Sequence, residues 1–410
     1  MATETPDDSE PIDGPPPSPA VIFLKPGGDK RLGAGHPWVY SNEIRMDTAA
    51  KALAPGCLVR LARTDGKPLG LASFNPHALI AARLLSPEGN DKVDENFLAA
   101  RLARALGLRQ QLFADPFYRL VHAEADGLPG FVVDRYGETA VCQINTAGAE
   151  NLLSPFLAAL DRVVEPRTVI LRADSRGRAA EGLDSYHRVL KGDASGPIQG
   201  REGGLHFAAD PETGQKTGWF YDQRENRQFA AGLSAGGRVL DLYCHTGGFG
   251  LAAARAGAEI VLGVDSSAPA LELAGQGAEM NGISGKCQFR KADVFKALDD
   301  FSADGQKFDL VVADPPAFVT ARKDLNPGLR GYRKLAREAA RLVAPGGFLL
   351  LASCSHQVEP TAFAKEVARG LASASRRGRI LRQAGAGPDH PVHPHLPESA
   401  YLKVLVLQLD

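Results

Sequence analysis

Phe308-Asp309-Leu310-Val311-Val312-Ala313 runs directly into Asp314-Pro315-Pro316, and Gly347-Phe348-Leu349-Leu350-Leu351-Ala352 runs into Ser353-Cys354-Ser355. Each is a short apolar run closed by polar or Pro residues, the pattern of a strand buried on both faces of a parallel sheet. In open α/β sheets ligands bind in the crevice outside the carboxyl ends of the strands. An acid, Asp314, and a thiol, Cys354, are therefore expected to meet over one pocket.

Outward from these two strands the pattern repeats. Strands are predicted at 237–242, 259–264, 287–290, 308–313, 347–352 and 401–409, with helical segments between most of them. Alternating strands and helices imply an α/β domain with a doubly wound, mainly parallel sheet. Upstream, residues 21–92 carry short β-like runs separated by turn signals such as Pro26-Gly27-Gly28 and Asp65-Gly66, which reads as a small β-barrel. A helix is predicted over 93–113, then a central α+β unit with strands at 130–134, 139–145 and 168–172 and a helix near 149–162. Residues 173–203, rich in Gly, Ser and Arg, read as loop, and 204–222 as a hairpin. Residues 1–20 hold five acids, many prolines and no base, and read as a disordered tail with too little apolar surface to fold. The expected division is 1–20 tail, 21–92 barrel, 93–203 central domain, 204–223 linker hairpin and 224–410 α/β domain.

Composition narrows the function classes. Of 410 residues, 44% are hydrophobic and 23% charged, with a net charge of −1, which is ordinary for a globular protein. Setting the acidic tail aside leaves a mildly basic remainder, which permits a nucleic-acid patch. No apolar stretch reaches membrane-spanning length and no secretory signal is visible. The five cysteines are scattered and form no CxxC pair. A disulfide framework and a zinc ribbon are both disfavoured, and a reduced, cytoplasmic setting is expected.

Arg238-Val239-Leu240-Asp241-Leu242-Tyr243-Cys244-His245-Thr246-Gly247-Gly248-Phe249-Gly250 is a strand, a Gly-rich turn and a helix start. Glycine lets the backbone approach a ligand, and Asp265, closing the next strand, could accept hydrogen bonds from ribose hydroxyls. A nicotinamide dehydrogenase shares these two features, but the turn is not GxGxxG. Asp241 ahead of the glycines would repel a pyrophosphate and could pair with an ammonium. S-adenosylmethionine offers an ammonium, a ribose and no phosphate. Asp293, followed by Val294 after a third strand, could hydrogen-bond an adenine amine. Taken singly each acid reads as a cap or turn residue; three at successive strand ends point to a cofactor site. The candidate contacts are Asp241, Tyr243, Thr246 and Gly247 from the loop, Asp265 and Ser266 from the second strand end, and Asp293, Val294 and Asp314 from the next two.

C5 of cytosine is a poor nucleophile. A thiolate adding to C6 pushes electron density to C5, which can then attack a methyl-sulfonium carbon, provided an acid steadies N3 as charge builds there. Cys354 suits the first role and Asp314 the second, with Pro315 and Pro316 stiffening the acid's loop. A free Cys is more often a small buried apolar residue, which is the reading for Cys57, Cys142 and Cys287. Cys354 departs from it because it lies between serines beyond the apolar run.

At this point the chain resembles a known family, the bacterial cytosine-5 RNA methyltransferases that carry an N-terminal PUA domain and act on 23S ribosomal RNA. The resemblance rests on Leu24-Lys25-Pro26-Gly27-Gly28-Asp29-Lys30-Arg31-Leu32 with His36-Pro37-Trp38, on Glu124-Ala125-Asp126-Gly127-Leu128-Pro129-Gly130-Phe131, and on Gly214-Gln215-Lys216-Thr217-Gly218-Trp219-Phe220 with Asp222-Gln223-Arg224-Glu225-Asn226-Arg227. It continues through Thr246-Gly247-Gly248-Phe249, Asp314-Pro315-Pro316 and Ser353-Cys354-Ser355. The resemblance implies a class I methyltransferase fold, S-adenosylmethionine as cofactor, Cys354 as the attacking thiol, Asp314 as its partner at the base, and ribosomal RNA as the partner molecule. Two residues depart from common patterns: Ala317 stands where many RNA cytosine methyltransferases have a second Cys, and His245 where a tyrosine is frequent.

Basic residues at the RNA face are the remaining candidates: Lys25, Lys30 and Arg31 in the barrel, Lys216 and Arg224 before the α/β domain, and Arg322 and Lys323 after the Pro-Pro loop. For each, a solvated surface charge is the competing reading. His390, His393 and His395 lack a Cys or paired carboxylate to complete a metal site, so no metal is expected. Two rival functions stay open: a base-nitrogen methyltransferase, which would need no thiol, and an RNA-binding assembly factor with an inactive core.

Overall fold

The computed structural model describes residues 18–212, 214 and 217–410. Most of the proposed 1–20 tail, and Lys216, lie outside the described residues. The first sheet is built from β1 (Ala20–Phe23), β2 (Trp38–Tyr40), β3 (Cys57–Ala62), β4 (Pro68–Phe74) and β5 (Ile80–Ser86) in the order β1-β3-β4-β5-β2. Ile22, Leu24, Val59, Leu61 and Phe74 fill its own core.

The central sheet comprises β6 (Phe117–His122), β7 (Phe131–Tyr136), β8 (Thr139–Ile144), β9 (Thr168–Ala173) and β10 (Tyr186–Lys191), ordered β10-β9-β8-β7-β6. The helix Glu95–Leu112 starts where the Asp94 carboxylate accepts the Phe97 N–H and buries Leu98 and Leu102 in this sheet's core. The helix expected near 149–162 is two helices, Ala147–Asn151 and Leu153–Val164. The second brings Phe156 into a stack on Phe131, with ring centroids 4.1 Å apart.

The stretch 173–203 is not the loop expected. It contains β10 and the first strand of a hairpin, β11 (Ile198–Glu202) paired with β12 (Leu205–Ala209). The hairpin thus lies ahead of the 204–222 position assigned to it. β10 is an edge strand exposed along most of its length, so it lacks the period-two apolar signal and owes its conformation to its ladder with β9. In β11, Gly200 is required by packing: a Cβ there would lie 2.1 Å from Cζ of Phe207. No helix among the described residues is long and apolar enough to cross a membrane.

The third sheet has seven strands: β13 (Arg238–Leu242), β14 (Ile260–Asp265), β15 (Cys287–Lys291), β16 (Phe308–Ala313), β17 (Val343–Ser353), β18 (Gly378–Ala384) and β19 (Lys403–Leu409). Their order is β15-β14-β13-β16-β17-β19-β18. β13 to β17 pair in parallel, while β19 runs antiparallel to both β17 and β18. β18, an exposed edge strand, is an addition to the predicted set. The order reverses at β13, where the chain moves to β14 on one side and β16 on the other. That switch point opens the crevice holding the site.

Candidate active site

A cavity of about 380 Å³ lies at the carboxyl ends of β13, β14, β16 and β17, within the size range of small-molecule sites. Tyr243, Thr246, Asp265, Ser266, Asp314 and Cys354 all line it. The thiol and the acid therefore converge as their strand positions require. Cys354 is half-buried, and its Sγ lies 4.0 Å from the Pro315 carbonyl oxygen.

The surroundings of the pair explain its geometry. Asp314 Oδ2 accepts a hydrogen bond from Gln223 Nε2 (2.9 Å), and Gln223 Oε1 accepts one from Asn226 Nδ2 (2.7 Å). On the thiol's side, Ser355 is fully buried. Its Oγ accepts the Val319 N–H (3.1 Å) and shares a hydrogen bond with Tyr332 Oη (2.8 Å). Ser355 thus ties the cysteine turn to the loop that carries Asp314.

The Gly-rich loop is bent at two non-glycine positions: Tyr243 has φ +61° and His245 φ +50°. Such left-handed conformations cost energy and mark places where surrounding structure holds the chain in a functional shape. Asp265 supplies part of that hold, accepting the His245 N–H at Oδ2 and the Ser267 N–H at Oδ1, both at 2.9 Å. Asp241 lies beneath the loop and off the cavity wall. It is 1% exposed and accepts the Gly250 N–H (2.8 Å), fixing the start of the helix Gly248–Arg255. Burial pushes its carboxyl up to about 7, the Gly250 hydrogen bond opposes this, and the charges of Asp314 and Asp265 add to it.

The remaining predicted contacts divide. Gly247 adopts φ +80° at the cap of the same helix. Asp293 is exposed and caps the helix Val294–Ala303 through the Lys296 N–H (3.0 Å), and Val294 packs in the core. Neither lines this cavity, because the helix they begin turns them away from the switch point.

Trp219, Phe220, Gln223 and Arg227 form the opposite wall. Trp219 stacks on Phe207 at 3.8 Å, and Phe220 sets its ring edge-on to His245 at 5.0 Å. Arg227 is neutralised by Glu202 through Nε–Oε1 (2.8 Å) and Nη2–Oε2 (2.7 Å) and lies over Trp219. A wall whose arginine is already paired suits a ligand without phosphate. With the Asp265 carboxylate and the close approach of the Gly-rich backbone, it fits S-adenosylmethionine. Arg227, weighed from sequence as a cover for the cofactor or the flipped base, lines this wall, whereas Gln223 was visible only as part of a quoted motif.

Arg224, proposed for RNA, faces away. It donates to the Phe117 carbonyl, lies over Phe113 and borders a separate hollow of about 830 Å³. That hollow contains neither the thiol nor Asp314. Of the barrel cations, Lys25 donates to the Asn42 carbonyl (2.9 Å), Arg31 pairs with Glu43 (2.8 Å), and Lys30 is exposed. Arg322 and Lys323 are exposed on the turn Arg322–Asp324 beyond the Pro-Pro loop. Among the described residues no group of three or more His, Cys, Asp or Glu is placed to hold a metal ion. His390 instead pairs with Asp389 in the interior (2.9 Å).

Residues 159–407 match the family model described as S-adenosylmethionine-dependent methyltransferase, and residues 22–87 match that of a PUA-like domain. The chain is 37% identical over 393 residues to ribosomal RNA large subunit methyltransferase I of Shewanella denitrificans, covering 95% of this chain and 99% of that one. The same-named protein of Aeromonas hydrophila is 38% identical over 395 residues, with the same coverage. Among solved structures the fold is shared with SMU.776, crystallised as a methyltransferase complexed with SAH. That match has a TM-score of 0.82, 20% identity, and covers 95% of this chain and 100% of that one. The chain belongs to the S-adenosylmethionine-dependent methyltransferase family, in the group that carries a PUA-like domain and includes these large subunit methyltransferase I proteins.

Proposed function

We propose that this methyltransferase forms 5-methylcytosine in large-subunit ribosomal RNA through a covalent bond between Cys354 and C6 of the target base. The carrying observation is that Cys354 and Asp314 face one cavity beside the predicted cofactor loop. The substrate class follows the name shared by relatives that match the chain over nearly its whole length. The cofactor, held by the Gly-rich loop and Asp265, supplies an electrophilic methyl group.

The chain's own residues do the rest. The Cys354 thiolate adds to C6, and the C5=C6 electron pair moves toward C5 and N3. Asp314, protonated or sharing a proton with N3, steadies the charge that develops there. C5 takes the methyl group, the C5 proton passes to water, and the C5=C6 double bond re-forms as the sulfur leaves. The base must be flipped out of its stack to reach the thiol. In this reading the PUA-like domain grips RNA elsewhere through phosphate contacts, which would make binding weaken as salt rises. Lys30 is the exposed candidate cation of that domain, and Arg322 and Lys323 are exposed beside the active-site loop of the methyltransferase domain; Lys25, Arg31, Lys216 and Arg224 were the other candidates.

RNA containing 5-fluorocytosine tests the chemistry, because fluorine at C5 cannot leave as a proton. Incubation with S-adenosylmethionine is expected to trap a stable protein–RNA adduct at Cys354. Cys354→Ala is expected to lose adduct and turnover while still binding S-adenosylmethionine by calorimetry. Full turnover in Cys354→Ala would transfer the reading to a base nitrogen, whose lone pair needs no thiol.

A further inference from the structure

The thiol's loop is held by a cation that the sequence alone did not single out. Lys403 opens β19 directly opposite Ser353 in the β17–β19 ladder. It is 6% exposed. Its Nζ donates to the Tyr401 carbonyl (2.7 Å) and to the Ser355 carbonyl (2.5 Å), the residue that follows Cys354. A buried ammonium spending two donors on backbone carbonyls, with no carboxylate among the described residues in direct contact, carries its charge into the interior, an arrangement that is costly without a compensating anion. Two anionic groups act on it, a Cys354 thiolate first and the Glu359 carboxylate second.

We propose that Lys403 is the positioning residue of the nucleophile: tied to the Ser355 carbonyl on the cysteine turn and to the Tyr401 carbonyl on its own segment, it holds the turn and supplies the positive charge against which the Cys354 thiolate forms. This rests on the reading of Cys354 as the nucleophile. Burial pulls the Lys403 amine down to about 8, while the charges of Cys354 and Glu359 pull it up. The coupling is reciprocal, so a cation favoured by the thiolate favours the thiolate in return. Other groups face the same thiol. Asp314 and Asp222 line its cavity, Tyr332 approaches from the helix Leu325–Leu342, Tyr401 from the segment ahead of β19, and His356 and Glu359 follow on its own loop. The nearby carboxylates oppose an anion at sulfur, while burial keeps the Tyr332 and Tyr401 phenols neutral, which makes the contribution of Lys403 the more necessary.

Iodoacetamide labelling of Cys354, followed peptide by peptide by mass spectrometry across pH, reads this coupling. The other four thiols make a slow background, since burial holds each of them up, Cys142 to about 12 and Cys287 to about 11. In Lys403→Met the labelling midpoint is expected to move up by a unit or more, slowing reaction at pH 7 about tenfold. Lys403→Arg, which keeps the charge, should restore most of it. A midpoint unmoved in a folded Lys403→Met protein overturns the proposal. Wild-type protein gives an independent reading: competitive acetylation of Lys403 before and after Cys354 is capped should show the amine's pKa falling on capping, and no change would also overturn it. If capping Cys354 leaves methyl transfer intact, the nucleophile reading fails instead, whichever way the midpoints move.

Discussion

At the scale of single residues, Asp241 shows how a position that looks like a ligand contact also carries structural load. Its carboxyl is buried and pushed up from 3.8 to about 7. An acid that titrates higher in the folded than in the unfolded protein binds more protons folded, so stability declines as pH rises through that window and then levels. Asn in its place keeps an oxygen for the Gly250 N–H and removes the charge. Asp241→Asn is therefore expected to unfold with the wild type near pH 4 and to exceed it by on the order of 4 kcal/mol above pH 7. Urea denaturation of the cofactor-free protein at several pH values measures this, and parallel profiles would contradict it.

At the scale of elements, the cavity wall depends on one carboxylate in the hairpin. Glu202 ends β11, is 8% exposed, and holds both Arg227 and the Trp219 indole N–H (3.1 Å). The hairpin, the Trp219–Phe220 segment and the helix Arg224–Ala231 are thus joined through a buried ion pair. Removing one partner of such a pair leaves an uncompensated charge, at a cost of about 3–5 kcal/mol. Glu202→Ala is expected to lower the melting temperature and also to weaken S-adenosylmethionine binding, because Trp219 and Arg227 line the cavity. Calorimetric titration of the folded variant checks the second effect. Unchanged affinity would separate the hairpin from the cofactor site.

At the scale of the whole molecule, polar contacts lock three sheets into one body. The PUA-like domain meets the central domain through Trp38 Nε1 and Arg83 on Glu124 (2.7 and 2.8 Å), and through Asn75 on Glu181 (3.0 Å). Gly148 packs on Ser73, where a Cβ would lie 2.3 Å from the serine's own Cβ. The central domain meets the methyltransferase domain at Asp389. Its carbonyl accepts from Arg109 (2.8 Å), and its carboxylate accepts the Arg119 N–H (3.0 Å) and pairs with His390. Burial alone would raise this carboxyl, but the His390 hydrogen bond and nearby positive charge hold it below the usual range. Asp389→Ala strands a buried N–H and a buried imidazole, a loss of about 1–3 kcal/mol for each unsatisfied group. Scanning calorimetry is expected to show a lowered transition that splits as the methyltransferase domain unfolds ahead of the central one. A single transition at the wild-type temperature would contradict the role given to Asp389. Such a frame would hold the PUA-like domain at a set distance from the thiol.

Much of this was legible along the chain, for a physical reason. Buried parallel strands must be apolar and must end in loops at the sheet's crevice, so β13, β14, β16 and β17 announced themselves, and Asp314, Cys354, Asp265 and Thr246 were readable as pocket residues from position alone. The edge strands β10 and β18 were not, because exposed strands carry no apolar rhythm and are defined by the ladder they join. Nor could local sequence show that Asp293 and Val294 turn away from the cavity, that Gln223 orients Asp314, or that Lys403 reaches back to the carbonyl after Cys354. The last two relations join residues 48 to 91 positions apart. Sequence by itself determined which elements form and which strand ends carry chemistry, since both follow from burial and local conformation; only the tertiary structure decided which side chains face one another, because that is set by how strands and helices pack.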